Sequence, residues 1–265
     1  MTQSVCFIGN SHIAALKLGW DDIQQHYPDF LATIYGSHAD SLANTALQKG
    51  CIVPTSPFVE EQFAWTGGGS KVDLARYSAF CIVACGFTPM QTFKVYVNYG
   101  FSELNSRRRH LISEDCYRLA VLGALRQTTA MHIVRLIRAG SGAPVYICPQ
   151  PLPSEGCMED SSSNLQIMKA VLAFDDAPTL MELHGQVSNT LATEFGAEIV
   201  SQPAATLSGV CLTKQEFSDN SVQLSADFSQ PHPSNDYRHM NRRFGAEMMG
   251  EIIARFRTAP LSPSQ

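Results

Sequence analysis

No apolar run in the 265 residues approaches the roughly 18 to 20 needed to cross a bilayer, so a membrane-spanning helix is excluded. There is no excess of positive charge either. Nineteen Lys and Arg against 24 Asp and Glu leave a net charge of -5, which offers no basic surface to a phosphate backbone and disfavours nucleic-acid binding. C-x-x-C spacing is missing: Cys6, Cys51, Cys81, Cys85, Cys116, Cys148, Cys157 and Cys211 are scattered and read as buried thiols of a reducing compartment. The first residues carry no basic stretch followed by an apolar one, so the expected location is cytoplasmic. Also absent are a P-loop (G-x-x-x-x-G-K-S/T), a G-x-G-x-x-G dinucleotide fingerprint, a G-x-S-x-G elbow, S-x-x-K, H-E-x-x-H and any internal repeat. His26, His38, His110, His132 and His184 show no ligand spacing, and neither a metal nor a cofactor is expected.

What is present is a chain with 45% apolar residues, enough to bury a full core. Short, continuously apolar runs closed by Gly or Pro alternate with helix-like segments, the pattern of strands covered on both faces. Strands are expected at Ser4 to Ile8, Leu31 to Tyr35, Ala79 to Cys85, Pro144 to Cys148 and Ala197 to Val200. Helices are expected at Ser11 to His26, at Glu114 to Gly140 behind a Ser113 cap, at Pro178 to Phe195 and at Met240 to Phe256. Residues 37–77 read as irregular. Residues 87–113, polar, aromatic and basic, read as a cap or loop over a site rather than as core. The whole is one α/β domain over 1–258, with five parallel strands between helices and a disordered tail at 259–265.

In such a sheet, chemistry gathers where the strands end. Gly9-Asn10-Ser11-His12 closes the first strand, with Gly9 permitting a tight turn and the Ser11 hydroxyl and N–H both facing the crevice, as a nucleophile with its own oxyanion donor. The alternative is that Asn10 or Ser11 merely caps the helix. Asp236 and His239, three apart ahead of the last helix, have the spacing at which a carboxylate accepts from imidazole Nδ1–H and leaves Nε2 free to take a proton; a solvated polar loop is the other reading. Asp227 and His232 form a looser pair in a Pro-rich setting that suits a structural turn. The Gly67-Gly68-Gly69 and Gly86-Phe87-Thr88 loops can turn backbone N–H groups towards an anion, or be flexible turns. The Arg107-Arg108-Arg109 run is either a solvated face or, if Arg108 overhangs the crevice, a selector of anionic or sugar-rich acyl substrates.

Together, an early Gly-Asn-Ser-His and a late Asp-x-x-His resemble the SGNH hydrolases, the GDSL-type esterases. The resemblance implies a three-layer α/β/α, flavodoxin-like fold. It also implies a triad of Ser11, Asp236 and His239, an oxyanion hole from Ser11, Gly68 or Gly69 and the Thr88 position, and Asn10 and His12 beside the substrate. Asn10 stands where the family has Asp. Thr88 stands where it has the oxyanion Asn, so another donor, such as Asn98, has to enter or the enzyme is slower or specialised. The expected activity is hydrolysis of a small acyl ester, acetyl for example, on a small molecule or glycan. The alternatives are O-acyl transfer by the same triad and a non-catalytic binding module on this fold.

Overall fold

The computed structural model describes residues 2–105, 110–161 and 165–258. Five strands form a parallel sheet: β1 Gln3–Gly9, β2 Phe30–Gly36, β3 Ala79–Val83, β4 Val145–Cys148 and β5 Ala197–Ile199. Their spatial order is 2-1-3-4-5, with β1 paired to β2 and β3, β3 to β4 and β4 to β5. Side chains alternate across the sheet. Cys6, Ile8, Phe80, Ile82 and Ile147 point into one buried cluster, and Val5, Phe7, Cys81, Val83 and Tyr146 into the other. Both faces are covered, which is why these strands carry no polar alternation.

The first cluster is closed by α2 Pro57–Gly67, α4 Glu114–Arg126, α5 Thr129–Gly140 and α7 Ala177–Glu194, and the second by α1 Ile13–Ile23 and α8 Arg242–Thr258. Helices α3 Met90–Tyr96 and α6 Gln166–Ala173 complete the set. No described helix is long and apolar enough to cross a membrane.

Several expectations need correction. The segment 37–77 is ordered: Thr45–Gln48, Cys51–Pro54 and Val72–Asp73 make a small antiparallel sheet, and α2 starts at a Ser56 cap followed by Pro57. The expected helix over 114–140 is two helices, because the Thr128 hydroxyl caps Met131 N–H and starts α5 afresh. Within the segment expected as a cap or loop, the described part also carries core residues, with Phe87, Phe93 and Tyr96 fully buried and the Tyr96 hydroxyl donating to Asp176 at 2.6 Å. Cys116 is exposed while the other seven cysteines are buried. Arg108 and the tail 259–265 lie outside the described residues.

The contact between α1 and α8 decides where the two ends of the chain meet. Glycine makes it possible: a Cβ on Gly245 would lie 1.7 Å from the Ala15 carbonyl oxygen, and one on Gly19 2.1 Å from Ala246 N. Backbone against backbone cannot yield as a flexible side chain can. Gly245→Ala is therefore expected to force the helices apart and destabilise the chain by about 3 kcal/mol or more, a fall in Tm of roughly 6–12 °C in thermal unfolding. An unchanged Tm would show that the close crossing is dispensable.

Candidate active site

β1 and β3 are neighbours whose chains leave in opposite directions, β1 feeding α1 and β2 on one side and β3 feeding the elements on the other. Their carboxyl ends therefore open onto a crevice. Gly9 is there for space rather than for its dihedral freedom, since a Cβ would sit 2.9 Å from Val83 Cβ and carbonyl oxygen. Asn10 Oδ1 accepts from His12 N at 3.3 Å and closes a turn around Ser11. Helix α1 begins at Ile13 and its first turn bonds back to the Ser11 carbonyl through Ala14 N, while the Ser11 hydroxyl turns to His239 instead of capping the helix. Among the described residues nothing accepts from the Ser11 backbone N–H.

Helix α8 lies against α1, and the loop entering α8 reaches the same crevice. That loop is held by Asn241. Its Oδ1 accepts from Arg243 N and Phe244 N, and its Nδ2 donates to the Glu216 and Asp219 carbonyls at 2.8 Å each. Asp236 Oδ1 accepts from Arg238 N at 2.9 Å and from His239 N at 3.0 Å, which folds Asp236 to His239 into one turn. Within it, His239 Nδ1 lies 2.8 Å from Asp236 Oδ2, and His239 Nε2 lies 2.9 Å from Ser11 Oγ. Residues 228 positions apart thus share a hydrogen bond.

Burial alone would push the Asp236 carboxyl up, but hydrogen bonds from His232 and His239 outweigh it and hold the group well below its ordinary value of 3.8. Asp236 is therefore ionised at every pH where an imidazole titrates. The sign for stability follows: a depressed carboxylate contributes fully above its unfolded value and loses that contribution as pH falls below it. Melting temperatures taken from pH 6 down to pH 3 are expected to fall more steeply for the native chain than for Asp236→Asn below about pH 4. Parallel curves would contradict this.

His12 is buried, and its Nδ1 has no partner among the described residues. Burial first, and then the neighbouring His239, lower its pKa well below 6.5, so this ring stays neutral. It stacks on His239 with centroids 4.6 Å apart. Cys85, whose Sγ receives the Asn10 backbone N–H, is the other reactive group against the Ser11 turn, but burial pushes its thiol up to about 12, so it remains a protonated thiol. Ala84, Cys85 and Gly86 all have positive φ, 60°, 49° and 78°, and two of the three carry a Cβ in that left-handed region. This strained turn leads to Thr88, whose Oγ1 accepts from Met90 N at 3.3 Å and still has its own proton to donate.

Gly68 takes the left-handed position that ends α2, φ 73°, and Gly69 follows it near the Tyr35 hydroxyl. The end of α2 is tied to the sheet edge where Gly36 N donates to Thr66 Oγ1 at 3.0 Å, one strand from Ser11. Asn98 is exposed in the turn after α3, where its carbonyl accepts from His110 N.

The sequence reading paired His232 with Asp227, and the structure separates them. Asp227 accepts from Ser225 and Ser229, whereas His232 Nδ1 lies 3.1 Å from Asp236 Oδ2. The only signal for this was the four-residue spacing to Asp236, hidden by the prolines on either side. His232, Asp236 and His239 bring possible metal-ligand atoms within 4.8 Å of one another. They do not fit a metal: the two rings are parallel to within 10°, so their in-plane lone pairs do not converge on one point, and the carboxylate oxygen takes both Nδ1 atoms. The arrangement is two donors on one acceptor.

No protein-family model matches the chain, and no curated protein matches it. Among solved structures it is similar to the periplasmic domain of the lipopolysaccharide acetyltransferase of Salmonella ser. Paratyphi A, with a TM-score of 0.47 and 10% identity over 97% of this chain and 85% of that one. It is also similar to a carbohydrate esterase whose active site is described as having divergent catalytic and non-catalytic binding functions, with a TM-score of 0.39 and 11% identity over 97% of this chain and 65% of that one. Neither assigns a role to any residue here.

Proposed function

We propose that the chain is a serine hydrolase of the SGNH type that cleaves a small acyl ester, such as acetyl carried on a carbohydrate or other alcohol. The observation that carries the reading is the unbroken hydrogen-bond line from Ser11 Oγ through both nitrogens of His239 to an ionised Asp236. In that line Asp236 holds the proton of His239 on Nδ1, so Nε2 presents a lone pair to the hydroxyl. As Ser11 Oγ attacks the ester carbonyl, its proton passes to Nε2. The resulting imidazolium is stabilised by Asp236 and then protonates the departing alcohol. The oxyanion is received by the Ser11 N–H and by a donor from Gly68 or Gly69, with the Thr88 hydroxyl in the place of the family's Asn. Water, activated by the same imidazole, releases the acyl group.

Because the Thr88 side chain is shorter than Asn and its hydroxyl proton can rotate away, the oxyanion is less well held than the family pattern implies. The same triad geometry serves O-acyl transfer, the second reading, which differs only in how far the site excludes water from the acyl-enzyme. Turnover of 4-nitrophenyl acetate, with and without a sugar alcohol as acceptor, tests both. Release of acetate supports hydrolysis, an acetylated acceptor supports transfer, and no turnover under either condition contradicts both. Arg108, Asn10 and His12 are proposed to line the substrate end of the crevice.

A further inference from the structure

His232 is the residue of this site that a Ser-His-Asp scheme leaves without a task. Its Nδ1 points at Asp236 Oδ2, the same oxygen that holds His239. Its ring lies flat on the His239 ring, with centroids 4.0 Å apart and planes within 10°. His12 stacks on His239 as well, at 4.6 Å and 19°. Two rings nearly parallel to a third at such separations fit only on its opposite faces. His239 is therefore the middle ring of a three-imidazole column.

The tautomer of His232 follows from its surroundings. Its Nε2 is buried and has no hydrogen-bond partner among the described residues. A hydrogen there would be an unpaired buried donor, which costs more than an unpaired lone pair, so the single ring proton belongs on Nδ1, where Asp236 accepts it. The carboxylate then receives four donors, the Arg238 and His239 amides on Oδ1 and the two imidazoles on Oδ2. Turning the Asp236 carboxylate would break contacts on both oxygens at once, and turning the His239 ring would drive it into one stacked neighbour or the other.

We propose that His232 is a positioning residue that fixes the catalytic pair from behind. Its Nδ1–H locks the Asp236 carboxylate, and its ring, opposite His12, holds the plane of His239 so that Nε2 stays on the Ser11 hydroxyl. This rests on the serine-hydrolase reading and adds a fourth member to the acting unit. His232 touches neither substrate nor the reacting atoms, so removing it lowers the rate of proton transfer without altering substrate binding.

The test uses two variants that split the roles and a third that restores them. His232→Phe keeps a stacked ring and loses the donor, and His232→Asn keeps a donor at the Nδ1 position and loses the ring. Each is expected to lower kcat on the order of 10- to 100-fold with KM unchanged, as loss of a supporting partner does at other sites. His232 and Asp236 also line a cavity of about 330 Å³ together with Ser221, Pro231 and Pro233. Added imidazole is therefore expected to enter the space left in His232→Gly and recover kcat. In an Asp236→Asn background His232→Phe is expected to cost nothing further, because the residue acts through that carboxylate. The proposal is overturned if folded His232→Phe and His232→Asn both keep native kcat, if imidazole fails to rescue, or if the double variant shows the full additional loss. Retention of activity by Ser11→Ala would instead defeat the hydrolase reading itself, so the two failures are told apart.

Discussion

Ser11→Ala is expected to lose on the order of 10⁴-fold or more in kcat while its far-UV spectrum and Tm stay close to native. Among the described residues the side chain hydrogen-bonds to His239, and the turn does not depend on it: it is closed by Asn10 Oδ1 and by the Ile13 N–H on the Asn10 carbonyl. Removing Oγ therefore removes the proposed attacking atom and little else. The residual rate over water, from the Ser11 N–H and the rest of the oxyanion hole, is expected to persist, as it does when other triads lose their nucleophile. Activity of Ser11→Ala within tenfold of native would mean that another group does the chemistry.

The second large effect is expected at Asp236. In Asp236→Asn the amide has no free choice of orientation. The Arg238 and His239 backbone N–H groups, which now meet Oδ1, need an acceptor, so the carbonyl oxygen stays there and the NH₂ is delivered to the position of Oδ2. That places a donor against His239 Nδ1 and against His232 Nδ1 at once. His239 responds by moving its proton to Nε2, where it faces Ser11 and can no longer accept. A fall of about 10³- to 10⁴-fold in kcat follows from the wrong tautomer alone. It is measurable as loss of turnover in a variant whose crystal structure and substrate affinity remain near native. Asp236→Ala, which presents no donor, is expected to be less harmed at high pH than Asp236→Asn, and the reverse order would contradict the tautomer argument.

Much of this was legible in the sequence because the central strands are buried on both faces and so read as unbroken apolar words, Val5-Cys6-Phe7-Ile8 and Ala79 to Val83 among them. Helices α7 and α8 announced themselves by an apolar stripe, Leu180, Leu183, Val187 and Leu191 in one and Phe244, Met248 and Ile252 in the other. The other elements were hidden for local reasons. Strands Thr45–Gln48 and Cys51–Pro54 are too short to establish a period, and α2 has a weakly sided pattern with Trp65 near its end. At α3 the aromatic residues looked like a binding lip. Phe93 and Tyr96 are in fact turned inwards, and the buried Asp176 satisfies the Tyr96 hydroxyl from 80 residues further on.

In the site, the Ser11, His239 and Asp236 grouping could be anticipated from spacing and motif order. What could not was the part that depends on packing between distant segments. Nothing in the words Gly-Asn-Ser-His or Asp-x-x-His says that two further imidazoles flank the central one, since His12 was read only as a neighbour of substrate and His232 as part of a Pro-rich turn. The meeting of the two chain ends depends on the α1 and α8 crossing at Gly19 and Gly245, a contact of backbone with backbone that leaves no periodic signature in side-chain hydropathy.

The central claim is that the Ser11 hydroxyl is made nucleophilic by the imidazole brought to it from the far end of the chain. Incubation with a fluorophosphonate probe, followed by peptide mapping of the native chain and of His239→Ala, measures this directly. A stoichiometric adduct is expected on Ser11 in the native chain, with near-complete loss of it in His239→Ala. An adduct on a different serine, or none at all on the native chain, would contradict it.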